Sequence, residues 1–484
     1  MTKPQLAAAG IAASGAVAFA LRLPFIWTGI GPDEGGYAYV ADRWAQGERL
    51  YHLAWVDRPQ GLLLVYRALI GIAHEPWAIR LGAVLFGCAI TVLLGVIGWL
   101  LRGPVTGVAA AAIYSVVGVA PHLDGYTFNA ELAASLPATG AVAAALAWRR
   151  SRRTSWLLAA GLLGGSALLM KQSGFDGLAV AAAVAIAVPL SWAERLRAFG
   201  IVVAGAVVPL GASAIHGALL NWHEYWFAVA GYKIGADSGA SSDLTRRYEH
   251  FQLTFASARA DLWVLGLLAG AGVVIAAARR PQGWWPALVW LVAALAGFNV
   301  AALYWGHYYV QLLPPLALLA GFVVQESRVR LLRPVLVAAV VAPVAVFLVQ
   351  LAAWSPERRK GEINYYGGFE KDRRIAAALR ARSRPDEPVY ILSSRADIYF
   401  LARRHTTYRY IWGHGIHEVH GAMGQLIAML RAENRPRWVV VYTSPWVVDH
   451  SGKIARAIQT HYCLDTVPAG TGKRIYRKCP VHGP

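Results

Sequence analysis

The sequence predicts a polytopic α-helical membrane protein with about eleven transmembrane helices and a small external α/β domain at its C-terminal end. Three observations carry this expectation. Of the 484 residues, 57% are hydrophobic and 15% charged, too apolar a balance for a soluble surface of this size. The apolar residues fall in blocks of roughly 16 to 24, near the length a helix needs to cross a hydrocarbon core of about 30 Å. Arginines recur at every second connection between blocks, as Arg102, then Arg149, Arg150, Arg152 and Arg153, then Arg195 and Arg197, then Arg279 and Arg280, then Arg328, Arg330 and Arg333. That alternation is the positive-inside pattern and places those turns in the cytoplasm.

With the arginines as anchors, the helices are expected at about 5–28, 80–101, 104–120, 132–148, 155–170, 174–191, 198–220, 262–278, 285–305, 309–325 and 334–354. The run Lys3 to Ala20 has features of a cleaved signal, but its apolar character continues to Trp27 and favours a retained first helix. Residues 1–355 then form the membrane part and 356–484 the external domain. The external connections are 29–79, 121–131, 171–173, 221–261 and 306–308. In the loop 29–79, Tyr37, Val40, Ala41 and Trp44 recur at helical spacing, and Gly61 to Ile72 is a short apolar run around Arg67. Both read as helices lying in the membrane interface. The loop 221–261 is polar around Gly235 to Ser242 and reads as a mobile segment over the membrane.

After Pro356 the pattern changes to short β-branched runs between helical ones. Val389–Leu392 and Trp438–Tyr442 read as buried strands, and 462–467 with 474–478 as a closing hairpin. Ile375–Ala381, Asp397–Ala402, Met423–Ala432 and Lys453–Thr460 read as helices. Of three cysteines, Cys463 and Cys479 fall on opposite arms of the hairpin, where antiparallel pairing would join them in an oxidising compartment. No phosphate-binding glycine loop and no metal-ligand cysteine spacing is present. The net charge of +19 lies mainly between apolar blocks and in the tail, without the basic and aromatic interleaving of a nucleic-acid reader.

Isolated carboxylates gather on the external side: Asp33, Glu34, Asp57, Asp124, Glu131, Glu224 and Asp237. Asp33 or Glu34 can serve as general base towards a hydroxyl, and Arg58 can bind a phosphate through its planar fork. A plain helix start at Pro32-Asp33 is the alternative. Lys171 at an apolar helix end is either functional or snorkelling to the interface, and His307 is either part of a site or an aromatic-belt residue. Asn129 and Glu131 also suit a helix cap.

Taken in order, Asp33-Glu34 with the spacing to Tyr37 and Gly47, Asp57-Arg58-Pro59, Asn129 with Glu131, Lys171-Gln172 and His307-Tyr308-Tyr309-Val310-Gln311-Leu312-Leu313-Pro314-Pro315 resemble the GT-C glycosyltransferases. The nearest branch is similar to the bacterial enzymes related to protein O-mannosyltransferase and lipid A aminoarabinose transferase. The resemblance implies inverting transfer of a sugar, outside the cytoplasm, from a polyprenyl-monophosphate donor to an acceptor hydroxyl on a lipid, polysaccharide or protein. It implies Asp33 as the catalytic carboxylate and Glu34 in the second acidic position. Arg58, Lys171, His307 and Tyr308 fall at donor-phosphate positions, and Tyr37, Asp57, Asn129, Glu131 and Gln311 at substrate-binding ones. The family's Lys-Pro-Pro stretch is Arg58-Pro59-Gln60 here, which keeps the charge and changes its geometry.

A divalent cation is the one cofactor left open. Membrane lipids are expected partners and nucleic acid is not. The expected location is a bacterial inner membrane, with Arg150 and Arg280 inside and Asp33, Ser241 and the C-terminal domain outside. A transporter or lipid flippase is the alternative class, and it calls for ionisable residues along the bilayer midplane and an internal repeat, neither of which the sequence has. A noncatalytic scaffold or sensor would suit the basic external domain but leaves the Asp33 loop without a purpose.

Overall fold

The computed structural model describes residues 2–232, 244–280, 283–300, 303–355, 358–359, 369–392 and 394–480. The expected segment Gly235 to Ser242, with Ser241, and most of the junction after Pro356 lie outside them. The membrane part contains α1 (Lys3–Arg22), α2 (Pro32–Ala45), α3 (Gln60–Ile72), α4 (Pro76–Arg102), α5 (Pro104–Val117), α6 (Ala130–Ser151) and α7 (Thr154–Met170). It continues through α8 (Asp176–Ala187), α9 (Trp192–Trp226), α10 (Leu244–Arg279), α11 (Trp284–Val300), α12 (Leu313–Glu326) and α13 (Leu332–Ala353). Each helix expected across the membrane has a counterpart, and α2 and α3 occupy the first loop. The chain is a polytopic α-helical membrane protein.

Among the described residues seven helices are long and apolar enough to cross a membrane; α5, α7, α8 and α11 are shorter apolar helices packed among them. The expected span 174–191 is cut to the 12 residues of α8, which stops before Pro189, because the residue ahead of a proline is driven out of helical geometry. The first helix ends at Arg22 instead of residue 28, and a 3₁₀ turn, Leu23–Phe25, carries Pro24. The expected loop 221–261 is largely helical where described. α9 runs to Trp226 across a kink at Asn221, a π-helical turn follows at Phe227–Gly231, and α10 begins at Leu244. A 3₁₀ segment, Gly306–Leu312, leads into α12.

The C-terminal part contains α14 (Phe369–Arg382), β1 (Val389–Leu392), α15 (Asp397–Ala402), α16 (Gly413–Glu418), α17 (Ala422–Arg431), β2 (Trp438–Val441), α18 (Pro445–Val448), α19 (Lys453–His461), β3 (Tyr462–Thr466) and β4 (Arg474–Lys478). Its sheet has the order β1-β2-β4-β3, with β1 and β2 parallel and the other pairs antiparallel. Both β1 and the first three residues of β2 are buried, consistent with their unbroken apolar runs. A disulfide joins Cys463 to Cys479 across the closing hairpin, with their Cα atoms 5.1 Å apart.

The first loop and the C-terminal part share one hydrophobic core. Tyr37, Trp55 and Tyr66 belong to the same buried cluster as Tyr399, Trp412 and Ile416. The reason lies in α2, where a side chain at Gly35 would overlap the backbone of Asp397 and one at Gly36 would overlap the Trp412 indole. Two residues without side chains let α15 and the Trp412 segment close directly onto the helix. Thus α2, expected to lie on the interface, is buried over Glu34–Ala41 between the bundle and the sheet domain.

Candidate active site

The site is organised by the first turn of α2. Gly31 is its N-cap, Pro32 supplies the fixed φ suited to a first helical position, and Asp33 and Glu34 set negative charge against the exposed N–H groups. The two carboxylates diverge from there. Glu34 is buried; Oε2 accepts the Gly31 N–H at 3.1 Å, and Oε1 accepts the Phe128 N–H at 2.8 Å and pairs with Arg80 Nη1 at 3.0 Å. Burial pushes the Glu34 carboxyl above its ordinary range, opposed by Arg80 and the two backbone donors. Arg80 also donates to the carbonyls of Gly29 and Tyr126, so this pair ties α2, α4 and the entrance of α6 together.

Asp33 is only partly buried, and its Oδ1 accepts the Trp412 Nε1–H at 3.2 Å. Nearby, Arg58 Nη1 contacts Asp57 Oδ2 at 2.6 Å, and the guanidinium carbon lies 5.8 Å from the Tyr37 ring centroid. Arg58 Nε is buried without a hydrogen-bond partner, a donor held in reserve. Gln172 fixes this stretch by donating to the carbonyls of Asp57, at 2.9 Å, and Val229, at 3.0 Å. The Tyr37 ring lies 5.7 Å from the Trp412 ring, so Arg58, Tyr37, Trp412 and Asp33 form one chain of contacts.

On the bundle side, Lys171 terminates α7 and turns inward rather than snorkelling outward. It is buried, its Nζ pairs with Glu131, and it lies 3.9 Å from the centroid of the Tyr308 ring. His307 bridges two carboxylates, with Nδ1 3.9 Å from Asp124 and Nε2 3.9 Å from Glu131. His307 and Tyr308 meet edge to face at 5.0 Å.

The structure therefore brings together Asp33, Tyr37, Asp57, Arg58, Glu131, Lys171, His307 and Tyr308. Three other residues singled out by the sequence are occupied elsewhere. Glu34 faces Arg80. Asn129 caps α6, its Oδ1 accepting the Leu132 N–H at 2.8 Å and its Nδ2 donating to Thr127 at 3.1 Å. Gln311 donates to the Ser173 carbonyl at 2.8 Å and lies 3.4 Å from Asp176, joining the 3₁₀ segment to α8. Among the described residues no three His, Cys, Asp or Glu side chains converge as metal ligands.

Sequence reasoning missed Trp412 and Arg80. The adjacent Gly35-Gly36 was the available signal for Trp412, since paired glycines after an acidic pair mark a close approach by another element. Arg80, inside an apolar helix, was a buried charge in search of a partner.

No family model and no curated protein sequence matches the chain. Solved structures do. The crystal structure of ArnT from Cupriavidus metallidurans bound to undecaprenyl phosphate is 14% identical, with a TM-score of 0.67 over 98% of each chain. Its apo form is 16% identical, with a TM-score of 0.63 over 96% of each. The archaeal oligosaccharyltransferase AglB from Archaeoglobus fulgidus, in complex with an inhibitory peptide and a dolichol-phosphate, is 11% identical. It covers 100% of this chain and 75% of its own length at a TM-score of 0.58. The chain has the fold of these GT-C membrane proteins.

Proposed function

We propose that the chain is a membrane glycosyltransferase that moves a sugar from a polyprenyl-monophosphate donor to an acceptor hydroxyl, with Asp33 as base. The observation that carries this reading is the pairing of a carboxylate and a cation that each keep capacity for a ligand. Trp412 occupies Oδ1 of Asp33, and Arg58 retains a buried Nε–H without a partner. Undecaprenyl phosphate on ArnT and dolichol-phosphate on AglB, both of the same fold, support a lipid-phosphate donor.

In the proposed reaction the acceptor oxygen attacks the anomeric carbon from the side opposite the phosphate. Its proton passes to Asp33 Oδ2, the bond from carbon to phosphate oxygen breaks, and the polyprenyl phosphate leaves with the bonding pair. One displacement inverts the anomeric centre. The leaving group is already a stable anion, so it needs cations more than it needs a proton, and Arg58 with Lys171 supply them. Both cations have carboxylate partners, Asp57 and Glu131, that hold them in place before the donor arrives. Lys171 over the Tyr308 ring and His307 between Asp124 and Glu131 complete a rigid wall on the phosphate side.

The arginine alternation supports an orientation with this site and the C-terminal domain on the external face of the membrane. The decisive experiment compares cell-envelope glycans by mass spectrometry in cells with the protein, without it, and with Asp33→Asn. One defined sugar is expected to disappear both without the protein and in the variant, at normal protein abundance. Intact glycans in cells without the protein would sink the transferase reading, and intact glycans in the variant alone would remove Asp33 as base.

A further inference from the structure

Away from the Asp33 site, the outer ends of α1 and α13 border a cavity of about 740 Å³ beneath α14. Its walls are apolar, with Val17 and Leu21 from one helix and Leu348 and Leu351 from the other, over a floor where Phe25 and Tyr126 stack at 4.6 Å. A second cavity of about 640 Å³ adjoins it; the two share Trp27, Thr28, Gly29, Glu370 and Arg373. Trp27 is 77% exposed and stands 6.3 Å from Trp77, the arrangement expected of aromatic residues at a membrane boundary.

The two ends of this double cavity differ in charge. Arg359, Arg373, Arg374, Arg380 and Arg403 line it, against Glu75 and Glu370. Glu370 lies 3.4 Å from Arg374 and Glu75 lies 3.3 Å from Arg403, which satisfies both acids. Among the described residues, Arg373 and Arg380 have no ion pair, and Arg359 contacts only the carbonyl of Ala352. Two of these guanidinium groups, Arg359 and Arg373, thus border the apolar trough, and the third, Arg380, lines the adjoining cavity. A soluble anion would leave the trough empty, and an uncharged tail would leave the arginines unused. An amphiphile with an anionic head satisfies both ends.

We propose that this cavity binds a resident anionic membrane phospholipid, with its phosphate at Arg359, Arg373 and Arg380 and one acyl chain along the trough between α1 and α13. The lipid fastens α14, and through it the sheet domain, to the outer leaflet. This site is separate from sugar transfer: the cations assigned to the donor, Arg58 and Lys171, line neither cavity.

The test uses the full chain in phosphatidylcholine nanodiscs containing a trace of phosphatidylglycerol with a photoactivatable acyl chain, and the same probe on phosphatidylcholine as control. Mass spectrometry maps the labelled peptides. The anionic probe should label α1 and α13 at least about fivefold more than the control, the factor expected from roughly one arginine-phosphate contact at a membrane surface. Arg373→Glu with Arg380→Glu should abolish that preference. Leu348→Trp, which fills the trough and keeps every charge, should lower labelling by both probes. Equal labelling by the two probes, or a preference that survives the double charge reversal, would overturn the proposal. Displacement by millimolar inorganic phosphate would assign a soluble-anion site instead, and displacement by equimolar polyprenyl phosphate would assign the trough to the donor; either outcome overturns it. Asp33→Asn should label normally, so loss of the lipid site and loss of the catalytic reading are separable.

Discussion

Two buried ionic clusters flank α2, and they are built differently. On the bundle side, Arg58 with Asp57 and Lys171 with Glu131 are matched one to one, His307 adds a third nitrogen centre, and Arg58 Nε has no partner. On the domain side one guanidinium, Arg395, serves two carboxylates, Asp372 and Asp397, and Oδ1 of Asp397 is buried without a hydrogen bond. The first cluster gives each carboxylate its own cation; the second shares one guanidinium between two carboxylates. Burial pushes the Asp397 carboxyl up to about 6, with Arg395 opposing and Asp33 adding to the rise. Cations already fixed by their own carboxylates suit an anionic ligand, whereas a surplus carboxylate is relieved by a proton. On the proposed reading the bundle side of α2 binds the ligand and the domain side holds the helix, with Trp412 linking that side to Asp33.

The comparison breaks most readily at Glu34. Its removal as Glu34→Gln leaves Arg80 buried beside a neutral amide, and loss of one partner of a buried pair costs about 3 to 5 kcal/mol. Thermal unfolding in detergent should show a large drop, together with lost activity, whereas Asp33→Asn should unfold near the parent temperature. Equal stability losses in the two variants would erase the division of labour between these neighbours.

Next in size is the closing hairpin, which holds the sheet beneath the domain-side cluster. Replacing both Cys463 and Cys479 by Ser reopens a loop of 16 residues. The chain-entropy cost of such a loop is about 3 kcal/mol. Nonreducing peptide mapping should recover the linked peptide from the parent, and the double variant should unfold earlier without loss of the Asp33 site chemistry.

A smaller change is expected from the bundle-side cations. Arg58→Ala and Lys171→Ala should each raise KM for the lipid donor and lower kcat, by about 10- to 200-fold in kcat/KM, the range of one charge-assisted contact of about 1.5 to 3 kcal/mol. If either variant changes stability alone, its cation belongs with Arg80 as a structural group.

An effect of opposite sign should come from Asp397→Asn. Because the folded-state carboxyl titrates above its unfolded value, the folded form favours the proton. That contribution is fully present at low pH and is lost as pH rises from about 4 to about 6. The variant, which carries no charge at any pH, should therefore gain stability relative to the parent as pH rises through that window, by about 3 kcal/mol at pH 7 for a shift of about two units. Melting curves at pH 4.5 and 7.5 measure it; a variant less stable at the higher pH would show that Arg395 needs both carboxylates.

Much of the architecture was legible without coordinates. A stretch such as 76–102 or 332–353 must be helical because lipid offers its backbone no other hydrogen-bond partner, so composition and length are sufficient evidence. The strands Val389–Leu392 and Trp438–Val441 were legible for a related reason, as β-branched runs bounded by proline or turn residues. Candidate chemistry was legible as residue type: isolated acids and aromatics fall in the connections that alternate with the arginine-bearing turns. The ends of α8, α9 and α10 were not, since a proline, a kink at Asn221 and a helical start in polar sequence shift boundaries that hydropathy does not sense.

What only the tertiary structure decided is how equivalent side chains divide their work. Asp33 and Glu34 are neighbours of nearly identical chemistry, and no local pattern separates them. Arg80, 46 residues further on, turns one into a structural anchor, while Trp412, 379 residues away, binds a single oxygen of the other. Local composition determines which backbone conformation and which solvent a segment accepts, because those depend on the segment's own groups. The state of a carboxylate depends on what stands within a few ångströms of it, and chain folding brings those groups from places the local sequence does not record.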